Sequence, residues 1–187
     1  SGAAVHFHPR TPPPTDPTLG MGVCSVNMPQ SIAVYGQGSR CVKFTPHDFD
    51  GPIFGNTFNF GEINGGMADA GSGGTGTVGI EVHAAGGSAM FAGNIIKAFA
   101  VHGCGGVAVS VGDTPTSGIS GNQWEILGTT LPNSVFLRTF EKRGLYRASI
   151  QNGGVLGATG IQLGNSADRN RFSVAQNDAA IQVDDQS

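Results

Sequence analysis

The sequence predicts an all-β fold in which short strands stack in parallel as the rungs of a β-solenoid. Three observations predict it: a five-residue apolar pattern that recurs along the chain, 31 glycines in 187 residues, and no sustained helical spacing of apolar residues. Glycine suits the sharp corners of a coil because it adopts positive φ without steric cost. A single coil cannot bury its own inner face, so stacked coils are the arrangement that forms a core.

The recurring pattern is a small or polar residue followed by alternating apolar and variable residues. Its copies read GIEVH, GVAVS, SVFLR, GIQLG and AIQVD. The first inward apolar residues of these copies are Ile80, Val107, Val135, Ile161 and Ile181. The steps between them are 27, 28, 26 and 20 residues, which lies in the range of stacked repeats. We therefore expect roughly five to seven rungs, each with an inward apolar strand.

A second, aromatic anchor follows the first within most repeats. The anchor residues are Phe58, Phe91, Trp124 and Phe172. Segments 76–91 and 157–172 align without a gap, and this alignment places both anchors at equivalent positions. Each rung is therefore predicted to hold at least two short strands joined by Gly, Asn and Ser turns.

Composition limits the partners that the chain is expected to have. Charged residues make up 12% of the chain, the formal net charge is −3, and Lys and Arg do not cluster. This pattern argues against nucleic acid and membrane as partners, and no apolar stretch has the length of a transmembrane helix. His6 and His8 lack a third ligand, so neither a metal nor another cofactor is expected.

Two regions are predicted along the chain. Residues 1–30 contain the stretch RTPPPTDP, which is incompatible with helix or with an inner strand, and are predicted to form an extended arm or linker. Residues 31–187 are predicted to form the solenoid. Because AIQVDDQS ends in mid-rung, we expect this chain to be part of a longer protein.

The segment TGIQLGNSADRNRFSVAQNDAAIQVDDQS resembles the rungs of right-handed parallel β-helices of the pectate-lyase-like superfamily. Low charge and abundant Gly, Asn and Ser make residues 31–187 most similar to phage tailspikes and capsule depolymerases. The resemblance implies a homotrimer on a virion or outside the cell that recognises a bacterial surface polysaccharide, with or without depolymerising it. The calcium motif of pectate lyases and the paired aspartates of polygalacturonases are missing, so the resemblance supports the fold more strongly than an activity.

If the first strands stack in register, their outward positions form two ladders. One ladder holds Glu81, Ala108, Phe136, Gln162 and Gln182, and the other holds His83, Ser110, Arg138, Gly164 and Asp184. Arginine and amide groups bind sugar hydroxyls and carboxylates, and an exposed aromatic ring stacks on a sugar. Ligand-binding roles are therefore expected for His83, Phe136, Arg138, Gln162, Gln182 and Asp184. The alternative is that these polar ladders only solvate the sheet and stabilise the stacked rungs.

Glycoside hydrolysis usually needs two carboxylates about 5 to 9.5 Å apart. Glu81 and Glu125 are the candidate catalytic pair, and they meet only if their strands border one groove. Two other functions stay open, namely a structural shaft or adhesin stalk without a ligand, and a secreted polysaccharide lyase. The sparse Lys and Arg disfavour the lyase, which needs positive charge or a metal beside its base.

Overall fold

The computed structural model describes residues 3–9, 28, 30–35, 40–46, 51–66, 77–84, 89–112, 118–129, 131, 134–151, 159–164, 167, 169–175 and 180–183. In these ranges the regular elements are strands: β1 (Ala3–Phe7), β2 (Ile32–Tyr35), β3 (Arg40–Phe44), β4 (Ile53–Phe54), β5 (Thr57–Asn64), β6 (Val78–Val82), β7 (Phe91–Ala92), β8 (Ile95–His102), β9 (Val107–Val111), β10 (Ile119–Ser120), β11 (Gln123–Thr129), β12 (Val135–Thr139), β13 (Leu145–Gln151), β14 (Thr159–Leu163), β15 (Arg171–Ala175) and β16 (Ala180–Val183). The described chain holds no helix with the length and hydropathy needed to cross a membrane.

The described strands form three sheets in which neighbouring strands are parallel. The seven-stranded sheet has the order β1-β3-β6-β9-β12-β14-β16, the three-stranded sheet β10-β7-β4, and the six-stranded sheet β15-β13-β11-β8-β5-β2. From β3 to β11 the chain visits the seven-, three- and six-stranded sheets in that repeating order. This all-β, all-parallel arrangement is compatible with the predicted parallel β-solenoid.

The register of the seven-stranded sheet differs from the predicted one in two strands. Ile80 pairs with Val109, and Leu137 pairs with Ile161, whereas the sequence pattern aligned Val107 and Val135 with these isoleucines. β9 and β12 each begin with two apolar residues that precede the position aligned with Ile80. The first apolar residue of these two strands is therefore not the one that aligns with Ile80. This shift of two residues changes which side chains share an outward ladder.

The predicted aromatic anchor is correct for three residues and wrong for Phe91. Phe58 and Trp124 both pair with Ile96 of β8 in the six-stranded sheet, and Phe172 lies on the same column in β15. Phe91 instead belongs to β7 of the three-stranded sheet. The gapless alignment of segments 76–91 and 157–172 therefore matches Phe91 with Phe172, although these two residues lie in different sheets.

Aromatic rings stack along the interior and hold successive layers together. The Phe7 ring lies 4.9 Å from Phe44, and Tyr146 lies 6.0 Å from Trp124 and 5.0 Å from Phe172. The rings of each pair are close to parallel, and each such contact adds about 0.5–1.5 kcal/mol beyond area burial. Phe7 comes from β1, which pairs with β3, so the beginning of the predicted arm belongs to the sheet. The proline-rich stretch RTPPPTDP, residues 10–17, lies outside the described residues.

A column of buried asparagines lies at the turn that leads into the six-stranded sheet. Asn56, Asn94 and Asn122 each follow a glycine with positive φ and are at most 3% exposed. Nδ2 of Asn56 donates to Oδ1 of Asn94 at 3.1 Å, and Nδ2 of Asn94 donates to Oδ1 of Asn122 at 2.9 Å. Oδ1 of Asn94 and of Asn122 also accepts from the backbone N–H of the asparagine in the preceding layer, and these paired buried amides lock the stacking register.

The asparagine column is interrupted by a buried carboxylate. Asn122 donates its backbone N–H and its Nδ2 to Oε1 of Glu141, at 2.8 and 2.7 Å. Oε2 of Glu141 accepts from Trp124 Nε1 at 3.0 Å and from the Tyr146 hydroxyl. Gly144 occupies the next asparagine position, and a Cβ there would lie 2.6 Å from Oε2. The Glu141 side chain therefore fills the space that an asparagine would take.

The buried carboxyl makes the stability of the fold depend on pH. Burial is the largest influence on Glu141 and raises its pKa above the ordinary 4.5, although its hydrogen bonds act in the opposite direction. A raised folded-state pKa means that the stabilisation from protonation is present below the unfolded pKa and is lost as pH rises through the folded pKa. We expect the free energy of unfolding to fall as pH rises above 4.5, and Glu141→Gln to weaken this slope. Urea unfolding of both proteins across that pH range checks it, and equal slopes would contradict it.

Candidate functional site

The outer face of the seven-stranded sheet carries part of the predicted ligand-binding set on one ladder. In the observed register Glu81 pairs with Ser110, Ser110 with Arg138, and Arg138 with Gln162. The backbone of Gln182 continues this ladder beside Gln162. Arg138 therefore shares a ladder with Glu81 and Gln162, rather than with His83 as the sequence pattern predicted.

Polar groups on this ladder bind one another. Arg138 Nε donates to Oε1 of Gln162 at 2.6 Å. The Glu81 carboxylate accepts from Arg40 Nε and lies 3.7 Å from Lys43 Nζ. These contacts join adjacent strands, which agrees with the alternative that the ladder stabilises the stack.

Phe136 is the predicted ligand-binding residue whose position differs most from expectation. It is fully buried, as is its neighbour Leu137, because β12 does not alternate strictly between inward and outward side chains there. A Cβ at Gly128 of the six-stranded sheet would lie 2.9 Å from the Phe136 ring. The prediction that Phe136 is exposed and stacks on a sugar is therefore wrong. His83 is half-buried just after β6, and Asp184 lies outside the described residues.

The candidate catalytic pair is divided between two sheets. Glu81 lies on β6 of the seven-stranded sheet, and Glu125 lies on β11 of the six-stranded sheet. Glu81 is half-buried against basic side chains, whereas the Glu125 side chain is 51% exposed and lies 3.7 Å from Lys97 Nζ. The structure does not bring these carboxylates together on one strand ladder.

A groove on the outer face of the six-stranded sheet surrounds Glu125. Lys97, Glu125 and Arg147 are neighbours in register on β8, β11 and β13. Two adjoining depressions of about 210 and 400 Å³ share Glu125 and Arg147. We call this surface the Glu125 groove and define it by its lining side chains, which are Ile95, Lys97, Phe99, Gln123, Glu125, Leu145 and Arg147.

β8 also presents an aromatic side chain to this groove, next to an irregularity of the strand. Phe99 and Ala100 of β8 lie opposite the single residue Leu127 of β11, so β8 carries an extra residue. Phe99 lies on the same outward face as Ile95 and Lys97, by ordinary alternation along β8. It is 44% exposed, beside amide and charged groups. The groove therefore combines the groups that bind sugar rings and their substituents.

A second carboxylate on the same sheet is tied into a cluster of its own. Glu62 Oε2 accepts from the Tyr35 hydroxyl at 2.5 Å, and Oε1 lies 2.8 Å from His102 Nε2. These hydrogen bonds, with that of Tyr35 the stronger, lower the pKa of Glu62. Glu62 lies two strands from Glu125 and about two residues further along, so strand spacings separate their backbones by about 12 Å. Both carboxylate oxygens of Glu62 are engaged by Tyr35 and His102 rather than by groups of the Glu125 groove.

Sequence reasoning identified Glu125 but missed Lys97, Phe99 and Arg147. The missed signal is the Gly-Asn dipeptide, whose copies at 55–56, 93–94 and 121–122 each precede a strand of the six-stranded sheet. Counting three residues from Asn94 and Asn122 leads to Lys97 and Glu125, which are neighbours on the sheet. The predicted aromatic anchor at Phe91 concealed this repeat. Phe91 precedes the Gly-Asn dipeptide of its layer, whereas the other two layers have their anchor residue after the dipeptide.

The Glu125 groove places apolar side chains beside amide and charged groups on one sheet face. The three parallel sheets agree with the general organisation implied by the resemblance to parallel β-helices. Comparisons of the chain with protein-family profiles, with curated proteins and with solved structures gave no significant match.

Proposed function

We propose that this chain is a tailspike-like, right-handed parallel β-helix that binds a bacterial surface polysaccharide in the Glu125 groove. The observation that supports the proposal is the exposed Phe99 ring beside the Lys97, Glu125 and Arg147 side chains on one sheet face. In this proposal five to seven rungs form each subunit, three subunits form the spike, and the spike acts on a virion or outside the cell.

The regular strand spacing of the groove favours recognition of a repeating polymer. Its side chains project from consecutive parallel strands, which are spaced about 4.8 Å apart. An aromatic ring supplies apolar contact to a sugar face, while Gln123 and Arg147 supply hydrogen bonds to its substituents. Ligand groups bound by successive strands are held at regular intervals, as the units of a polysaccharide are.

The positions of the carboxylates favour binding of the polysaccharide without cleavage by this chain. Glu125 is the single carboxylate among the described residues that line the groove. Tyr35 and His102 engage the Glu62 carboxylate, and Lys97 already pairs with Glu125, which argues against a hydrolytic pair of these two residues. Depolymerisation by hydrolysis or elimination therefore requires catalytic groups other than a Glu81–Glu125 pair.

A structural shaft is the second candidate function, and a specific observation favours it. Arg138 with Gln162, Glu81 with Arg40, and the buried asparagine column bind one layer to the next. These contacts stabilise a stack without any ligand. A shaft also explains why the outer face of the seven-stranded sheet has its described polar groups engaged with each other.

The two functions are distinguished by a binding screen with matched variants. The chain is incubated with a panel of bacterial capsule and O-antigen polysaccharides, and both binding and polymer length are measured. We expect Phe99→Ala to weaken binding about tenfold, which corresponds to about 1.4 kcal/mol. Phe54→Ala is the control, because Phe54 is 57% exposed on the three-stranded sheet. If no polysaccharide in the panel binds, or if both variants weaken binding equally, the groove is not the binding site.

A further inference from the structure

We infer that the polysaccharide bound in the Glu125 groove is anionic, with carboxylate groups on its sugars, and that Arg147 recognises these groups. The inference rests on the proposed function, because it assigns a ligand class to the same groove. It specifies one chemical property of the ligand, which separates it from the general claim of glycan binding.

The first support is the charge of the groove, which is opposite to that of the chain. The formal net charge of the chain is −3. The groove and its border carry three cations, Lys97, Arg147 and Arg171, against the single carboxylate of Glu125. Cationic grooves on acidic proteins attract anionic ligands and raise the rate at which they associate.

The second support is the difference between the basic residues of the two sheets. On the seven-stranded sheet, Arg40 and Lys43 contact Glu81 and Arg138 contacts Gln162. On the six-stranded sheet, Lys97 pairs with Glu125 at 3.7 Å, but Arg147 has no ion pair or hydrogen-bond partner among the described residues. The guanidinium of Arg147 therefore keeps its donors available for a ligand.

The third support is the position of Arg147 within the ladder. Its neighbours in register are Glu125 on one side and Ser173 on the other. Lys97 neutralises Glu125, so the nearest fixed negative charge is already compensated. A guanidinium binds a carboxylate through two parallel hydrogen bonds, and Leu145 of the same strand offers apolar contact to the sugar ring that carries it.

Arg171 extends the cationic surface to the next strand. It pairs in register with Leu145, so it lies diagonally from Arg147 across neighbouring strands. Such diagonal positions are about 7–8 Å apart between their backbones, which long side chains can bridge. Two arginines in this relation can bind carboxylates on different units of one chain.

The test uses uronic-acid-bearing bacterial capsule polysaccharides, each paired with its carboxyl-reduced, neutral form. We expect binding to the acidic member of a pair, weakening with added salt, and little binding to its reduced partner. Arg147→Gln should weaken binding of the acidic form at least about tenfold, since a hydrogen bond to a charged group contributes about 1.5–3 kcal/mol. Arg147→Lys should restore less than the full affinity because it loses the bidentate contact.

Two further variants separate site-specific from general charge effects. Arg143→Gln removes the same charge from an exposed turn and should leave binding unchanged. Glu125→Gln removes the carboxylate of the groove and should strengthen binding of the acidic form, whereas weaker binding would contradict the inference. Equal binding of acidic and reduced forms would overturn the inference and leave the proposed function standing. Failure of both acidic and neutral polysaccharides to bind would reject the proposed function, and the inference with it.

Discussion

Replacing Glu141 by alanine is expected to lower the free energy of unfolding by about 3–5 kcal/mol, because it removes the acceptor for several buried donors. The Asn122 backbone N–H and the Trp124 indole N–H both donate to this carboxylate. Each buried donor left without a partner costs about 1–3 kcal/mol. A loss of this size is a large share of the roughly 5–15 kcal/mol by which domains are stable.

Urea unfolding followed by tryptophan fluorescence measures this change directly, since Trp124 is the only tryptophan of the chain and contacts Glu141. Glu125→Ala is the matched control, because the same substitution removes a side chain that is 51% exposed. We expect the control to change the unfolding free energy by no more than about 0.5 kcal/mol. Equal effects of the two substitutions would show that the buried carboxylate is not a structural acceptor.

The parts of the fold that could be predicted are those that repeat in the sequence. Ile80 and Ile161 occupy equivalent positions in the seven-stranded sheet, as the spacing predicted. The register of β9 and β12 could not be predicted from the first apolar residue, because these strands contain longer apolar runs. Alternation alone predicted that Phe136 points outward, but β12 does not alternate strictly and Phe136 is buried in the core.

The candidate site was less predictable than the fold because it depends on which strands are neighbours and in which register. Alternation from Ile95 and Lys97 places Phe99 on an outward face, but only the pairing of β8 with β11 brings that face beside Glu125. Arg147 lies beside Glu125 only when Gly144 is aligned with Asn122. That alignment was hidden because the asparagine of this layer is replaced by a glycine and by a carboxylate three residues earlier in the chain.

Gly144→Asn is expected to destabilise the protein by about 1–3 kcal/mol, as overpacking of a filled core does. A Cβ at this position would lie 2.6 Å from both Oε2 of Glu141 and Cε2 of Tyr146. Gly144 does not have a positive φ, so its role is to leave space rather than to permit a strained backbone. The loss should appear as a lower urea midpoint with an unchanged dependence on urea.

The same asparagine should become favourable once the carboxylate is removed. In Glu141→Ala with Gly144→Asn, the new amide oxygen can accept from Asn122 as Asn122 Oδ1 accepts from Asn94. We therefore expect the double variant to be more stable than the sum of the single changes by about 1–3 kcal/mol. Gly55→Asn with Glu141→Ala is the control, because Gly55 has open space around it and should show additive effects. Additivity in both double variants would mean that Glu141 does not replace an asparagine of the column, whereas coupling at Gly144 alone identifies the carboxylate as its substitute.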